Sequence, residues 1–274
     1  MAEVISADSR QVYRGLDIGT AKPTLAERRD VVHHGIDLVD PDAAFSVADF
    51  VRYADETLAG IGERGGIAIL VGGTGLWLRA IADGLDVDAL PHDPVVRTRL
   101  EAELAGEGVE RSAARLRALA PDLATATDLR NPRRVVRALE IATLAGDVPR
   151  PPARGYDGPL VRIGLDLADR DLHRAWIAAR AESQLGAGIV DEAIRLRERW
   201  GEHHRAFSAI GYREAWALAD GTIDRAGYLE ENVRRNVAFA RRQRTWFRAE
   251  REATAIDAVD RPLEAVLALV RRLD

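Results

Sequence analysis

The stretch Glu3-Val4-Ile5-Ser6-Ala7-Asp8-Ser9-Arg10-Gln11-Val12-Tyr13 decides how the rest of the chain is read. Val4-Ile5 is a short apolar strand that ends in a carboxylate flanked by two hydroxyls and an arginine. Open α/β folds present their reactive groups in this way, at the carboxyl ends of strands. A second apolar run, Ile67-Ala68-Ile69-Leu70-Val71, lies between two glycine pairs. Continuous apolar runs of this length predict strands covered on both faces. Between the runs, Ser46 and Asp49 form a capping box, Val47, Phe50, Val51, Ala54, Leu58 and Ile61 recur at helical spacing, and Gly65-Gly66 stops the helix. Strand, helix and strand in this order predict a right-handed parallel crossover.

Working outward, Leu160-Val161-Arg162-Ile163-Gly164-Leu165 is a third strand candidate and Ala255-Ile256-Asp257 a short last one. The segment 91–158 reads as helices with polar joints, bracketed by proline-containing turns. The predicted organisation is therefore an α/β core from 1–90 and 159–274 with a helical insertion at 91–158.

At 274 residues and 47% hydrophobic content the chain can bury a sizeable core. No run approaches the roughly 18 apolar residues of a membrane span, and the N-terminus lacks a signal-peptide profile, so a soluble, cytoplasmic protein with no membrane partner is expected. The absence of cysteine excludes disulfides, thiolate nucleophiles and cysteine-based zinc sites. A net charge of −5 argues against a general nucleic-acid binder. Its distribution is uneven, however: Gly227 to Arg248 carries six Arg against two Glu.

Five groups of residues carry possible chemistry. Asp8, beside Ser6 and Ser9, is a general base, a Mg²⁺ ligand or the cap of its own turn. Gly72-Gly73-Thr74-Gly75 opens a helix after a strand, either as a tight turn or as a polar cradle of amides and the Thr74 hydroxyl. Asn131-Pro132 starts a helix whose first half holds Arg133, Arg134 and Arg137, where the helix dipole disfavours cations unless an anion is near. Arg180 closes Arg170-x-Leu172-x-x-Ala175-Trp176-Ile177-x-x-Arg180 and is otherwise an ordinary surface residue. Arg241-Arg242-Gln243-Arg244-Thr245-Trp246-Phe247-Arg248 interleaves arginine with aromatics, which suits single-stranded RNA as well as a helix packed into a core. His33-His34 with Asp37 and Asp40 fits no common zinc spacing and reads as structural or as a support behind the site.

Ser6 to Pro23, Leu70-Val71-Gly72-Gly73-Thr74-Gly75-Leu76-Trp77-Leu78, the Arg133 to Glu140 string, the Arg170 to Arg180 string, Ile210-Gly211-Tyr212-Arg213-Glu214 and the Arg241 to Arg248 string resemble the tRNA dimethylallyltransferases, also called tRNA isopentenyltransferases. The resemblance implies a P-loop NTPase-like parallel sheet core with an inserted helical domain that binds tRNA. It implies transfer of a dimethylallyl group from dimethylallyl diphosphate to the exocyclic amine of the adenosine 3′ of the anticodon. Asp8 is then the residue that takes the amine proton, with Thr74 at the same site and Arg180 on the diphosphate, and Mg²⁺ is the cofactor. Asp8, Ser9, Arg10, Gln11, Thr74, Arg133, Arg134, Arg137, Arg241, Arg242, Gln243, Arg244, Trp246 and Arg248 fall at tRNA-contacting positions of the resembled strings, and Arg97, which follows Asp93-Pro94 as in the family, joins them. The partner is the anticodon stem-loop, and the expected state is a monomer.

Among the departures from the family pattern, two stand out. Trp77 stands where the family has Tyr. In the family a strand and a Gly-Lys-Ser/Thr phosphate loop precede the Asp8 string, whereas Lys22 is the only lysine here. The sequence alone therefore predicts that the N-terminal strand is missing and that transfer is weak or lost. A non-catalytic tRNA-binding remnant is one alternative, and an enzyme acting on free adenine nucleotides is another.

Overall fold

The computed structural model describes residues 1–149, 151–250 and 252–271. They form two compact units, Met1–Ala82 with Tyr156–Asp274, and Asp83–Gly155. The insertion thus begins before Pro91 and ends before Gly158. Its ends are joined by backbone bonds, the Gly155 amide to the Asp83 carbonyl at 2.8 Å and the Arg154 amide to Gly84 at 3.1 Å, pairing that no side-chain pattern announces.

The first unit opens with strand β1 (Ala2–Ser6), followed by helix α1 (Leu25–Arg28), strand β2 (His33–His34), helix α2 (Val47–Glu63), strand β3 (Ile67–Val71) and helix α3 (Gly75–Ala82). The sheet has the order β2-β1-β3, and both pairings are parallel, with Val4 opposite His33 and Ile69. Ser46 caps α2 through a reciprocal box with Asp49. The helix lays Phe50, Ala54 and Ile61 on the sheet, and Phe50 stacks on Trp77 with ring centroids 4.2 Å apart. Burial of a Phe side chain contributes about 1.5–3 kcal/mol.

The expectation that both apolar runs are covered on both faces holds for β1 and fails for β3. Ile67, Ile69 and Val71 are 48%, 45% and 53% exposed. Among the described residues β3 pairs only with β1, so it is an edge strand, and its alternate side chains Ile67, Ile69 and Val71 lie on a sheet face that is left uncovered. Strand β2 went unforeseen because two histidines carry no apolar pattern.

The second unit holds helices α4 (Pro94–Glu107), α5 (Val109–Leu119), α6 (Pro121–Thr125) and α7 (Pro132–Ala145). Leu100, Leu116, Leu123, Val135 and Leu139 form its core. The chain then returns to the first unit as strand β4 (Ile163–Asp166) and helices α8 (Arg170–Gly186), α9 (Ile189–Trp200), α10 (Tyr212–Ala219) and α11 (Arg225–Phe247). Strand β5 (Thr254–Asp257) and helix α12 (Pro262–Val270) complete it. Strands β4 and β5 pair in parallel as a separate two-stranded sheet. The main core gathers Ile5, Val12, Tyr13, Leu16, Phe207 and Tyr212 under β1 and its following turn. No helix among the described residues is long and apolar enough to cross a membrane.

Candidate active site

At the end of β1 the backbone turns so that Asp8 Oδ1 accepts the Arg10 amide at 2.8 Å and the Gln11 amide at 3.4 Å. The capping role is therefore real, and it uses one oxygen. Asp8 Oδ2 makes no hydrogen bond among the described residues, and the residue is half-buried. Ser6 Oγ donates to Gln11 Oε1 at 2.8 Å, and Gln11 Nε2 donates to the carbonyls of Thr20 and Ala21 at 3.2 and 3.3 Å. All polar atoms of the Gln11 side chain are thus used inside the protein. Arg10 donates from Nη1 to the Arg205 carbonyl at 3.0 Å.

The glycine turn after β3 meets this Asp8 turn directly. The Thr74 amide donates to the Ala7 carbonyl at 3.3 Å, and Thr74 Oγ1 accepts the Ser9 amide at 3.1 Å. A Cβ at Gly72 would collide with the Ala7 backbone, so glycine is what allows the two strand ends to close together. Thr74 still has its hydroxyl proton to donate. The turn is therefore a staple between β1 and β3, with one polar group left for a ligand.

Helix α11 closes the same region from the other side. Gln243 Nε2 donates to the Gly73 carbonyl at 3.1 Å. Gly75 has no room for a side chain because the Trp246 indole lies against it. The Arg79 guanidinium sits over that indole at 4.7 Å from the ring centroid and also pairs with Glu250. Arg79, Arg241, Arg242, Thr245, Trp246 and Ala249 line a cleft of about 360 Å³. Arg244 Nη1 and Trp246 Nε1 are buried donors with no partner among the described residues. Arg242 lies over the Phe239 ring at 5.7 Å, while Arg241 and Arg248 are exposed. On α8, Arg180 is exposed and has no partner among the described residues, and Trp176, four residues earlier, is 48% exposed.

In the other unit, Asn131 Oδ1 accepts the amides of Arg133 and Arg134, and Pro132 occupies the first turn of α7. Asp128, Arg130, Asn131, Pro132 and Arg133 line a cleft of about 500 Å³. Arg133 is exposed and Arg134 lies 3.6 Å from Asp128. Arg137 differs from both. It donates to the carbonyls of Leu90 and Pro91 at 3.0 and 2.8 Å and pairs with Glu140 at 2.7 Å. Glu140 is fully buried, also pairs with Arg97, and accepts the Asp93 amide at 3.0 Å. Burial pushes its pKa up, but the hydrogen bonds from Arg97, Arg137 and the Asp93 amide outweigh burial, and the net shift is downward. Arg97 and Arg137 are thus half internal struts.

Lys22 is also internal. Its side chain is 4% exposed, and Nζ donates to the Tyr13 carbonyl at 2.6 Å and pairs with Asp17 at 2.8 Å and Asp37 at 2.5 Å. His34 Nε2 lies 2.7 Å from Glu3 Oε2, and Arg64 holds the same carboxylate. Those two partners hold the Glu3 pKa below its usual value. The histidine pair is therefore part of the sheet, as strand β2.

Sequence reasoning missed Glu192 and Gln184. Glu192 is buried and accepts the amides of Ile18 and Gly19 and the Tyr212 hydroxyl, while Gln184 holds the Ile18 carbonyl. Burial, together with the adjacent Glu192 carboxylate, pushes the Tyr212 hydroxyl pKa well above its ordinary value. An acidic residue in the first turn of a helix is read as a dipole partner, so Glu192 gave no signal of its own.

Residues 11–250 match the family model described as IPP transferase. The tRNA dimethylallyltransferase of Acidothermus cellulolyticus is 42% identical over 274 residues, covering 97% of this chain and 84% of that protein. The full-length tRNA isopentenylpyrophosphate transferase of Bacillus halodurans superimposes with a TM-score of 0.71 at 36% identity, covering 99% of this chain and 88% of that one. A eukaryotic dimethylallyltransferase described as acting on tRNA shares the fold, with a TM-score of 0.75 at 22% identity, covering 99% of this chain and 70% of that one. The matched span runs from the Gln11 strut through the Thr74 staple and past the Gln243 contact, and the chain belongs to the IPP transferase family of tRNA dimethylallyltransferases.

Proposed function

We propose that this chain transfers a dimethylallyl group from dimethylallyl diphosphate to the exocyclic N6 amine of the adenosine 3′ of the anticodon in tRNA. The observation that carries the reading is the junction at the end of β1. There Asp8 keeps one carboxylate oxygen unbonded beside the Thr74 hydroxyl turn, with the Arg- and Trp-bearing face of α11 closing over it. N6 forms a bond to the allylic carbon as the carbon–oxygen bond breaks, and the diphosphate leaves with the electron pair. Asp8 takes the N6 proton through Oδ2 while Oδ1 stays on its turn, so the base is fixed before substrate arrives. The target adenine leaves its stack to reach this point, which an anticodon loop permits at low cost.

Exposed Arg180 provides the bidentate donor geometry that suits a departing diphosphate. Arg133, Arg134, Arg241, Arg242, Arg244 and Arg248 are the cations for RNA phosphates, and Trp246 with Arg79 offers a stacked polar surface beside them. Ser9 and Arg10 border the base site. Mg²⁺ is the ion we assign. Among the described residues no three His, Asp or Glu gather, but Mg²⁺ on a diphosphate takes most of its shell from phosphate oxygens and water. When bound, the ion spreads the negative charge of the leaving diphosphate. A cytoplasmic location and a monomeric state complete the proposal.

One observation favours a second reading. The only lysine of the 274 residues is consumed by Tyr13, Asp17 and Asp37, so no lysine of this chain reaches a diphosphate. A chain that binds tRNA without modifying it is the reading this favours. Incubation with dimethylallyl diphosphate, Mg²⁺ and unmodified tRNA, followed by nucleoside mass spectrometry, separates the two. Prenylated adenosine supports transfer, and tight tRNA binding without product supports the second reading.

A further inference from the structure

The Ile210-Gly211-Tyr212-Arg213-Glu214 string has no part in the chemistry above, yet Tyr212 is fully buried and its hydroxyl is aimed at another buried group. That group is Glu192, 4% exposed. A carboxylate in the interior is costly unless its oxygens are filled. Its partners are the Ile18 amide at 2.9 Å, the Gly19 amide at 3.3 Å and the Tyr212 hydroxyl at 2.7 Å. No cation pairs with it among the described residues, so two loop amides and one phenol are what fill its oxygens. Gln184 Nε2 takes the other side of the same loop through the Ile18 carbonyl at 2.7 Å. A Cβ at Gly19 would lie 2.5 Å from the Tyr212 ring, so the loop is pressed onto the tyrosine as well as bonded to the carboxylate. Three helices, α8, α9 and α10, thus converge on residues 18 and 19.

The loop relays this restraint toward Asp8. Its next two carbonyls, Thr20 and Ala21, hold both amide protons of Gln11, and the Gln11 backbone amide donates to Asp8 Oδ1 at 3.4 Å. Ser6 holds the remaining oxygen of the Gln11 side chain. Each link is a polar contact with defined direction, so a shift of the loop changes where the Asp8 carboxylate points. An apolar core would anchor the loop without fixing that direction. We infer that Glu192 and Tyr212 are positioning residues for Asp8, acting through the Ile18–Ala21 loop and Gln11 to orient the carboxylate that takes the N6 proton. The inference rests on the proposed role of Asp8.

Tyr212→Phe is the main test because it keeps the ring against Gly19 and removes the hydroxyl that bonds Glu192. Glu192→Gln, which keeps size and one acceptor, is the second. Both variants are expected to lower kcat for tRNA prenylation by about 10- to 100-fold, the scale of a misplaced catalytic group, with KM for tRNA within about twofold. Tyr212→Phe combined with Asp8→Asn is expected to be no slower than Asp8→Asn alone, since the brace acts only through Asp8. Hydrogen exchange is expected to quicken across residues 9–21 and stay unchanged across α2. Unchanged kcat, an additive double variant, or exchange that rises equally in α2 would overturn the inference. If the parent chain prenylates no tRNA, the functional reading fails by itself, and unaltered exchange at 9–21 in both variants would still overturn the brace.

Discussion

Thr74 Oγ1 accepts the Ser9 backbone N–H at 3.1 Å across 65 residues of sequence, so the turns that end β1 and β3 are one structure. The Asp8 turn and the Thr74 hydroxyl therefore belong to one junction. This joins two motifs that are each ambiguous alone.

Asp8→Asn is expected to leave the fold intact and abolish transfer. The Asn carbonyl oxygen can keep the bonds to the Arg10 and Gln11 amides, while the basic oxygen is lost. Single-turnover prenylation should fall by about 10²–10⁴-fold, with tRNA affinity and the thermal midpoint nearly unchanged. A variant within threefold of the parent would remove Asp8 from the chemistry.

Gly72→Ala should destabilise the junction, because the added methyl meets the Ala7 backbone and cannot be relieved by a rotamer change. Overpacking of this kind costs about 1–3 kcal/mol. Denaturant unfolding of the two proteins measures it. An unchanged midpoint would mean that the turn is more compliant than the geometry indicates.

Arg133→Ala and Arg137→Ala should behave differently although both sit on the first turns of α7. Arg133 is exposed, and its loss should lower the salt slope of tRNA binding by about 0.7–0.9 with no effect on stability. Arg137 holds two carbonyls and the buried Glu140, so its loss should cost about 1–3 kcal/mol. Binding titrations at several salt concentrations, together with thermal melts, separate the outcomes. Equal melts for both variants would contradict the assignment.

Glu140 gives a pH dependence whose sign is fixed by its lowered pKa. The unfolded chain binds its proton at higher pH than the folded one does. The stabilisation is therefore complete above the ordinary carboxylate range and is lost as pH falls through the depressed folded value. Glu140→Gln should flatten the acid limb of the stability curve. An identical acid limb would show that other carboxylates govern it.

Much of this arrangement was legible because local rules carried it. The Ser46–Asp49 box, the Asn131 cap with Pro132, and the run Ile67–Val71 appear in the structure where the sequence placed them. The edge position of β3 was not legible, since an apolar run looks the same with one partner or two. Nor was the division of labour among the arginines. Arg133 and Arg137 share a helix face, and only the buried position of Glu140 shows that one is a strut. Glu192 and Gln184 act on a loop more than 160 residues away, a relation that no spacing expresses.

The most direct measurement of the central claim is transfer by this chain from labelled dimethylallyl diphosphate, with Mg²⁺, to an anticodon stem-loop and, in parallel, to free AMP. The expected result is label on N6 of the adenosine 3′ of the anticodon and none on AMP, because the arginines of α7 and α11 have no role with a single nucleotide. Label on AMP alone, or no label on either at saturating enzyme, would contradict it.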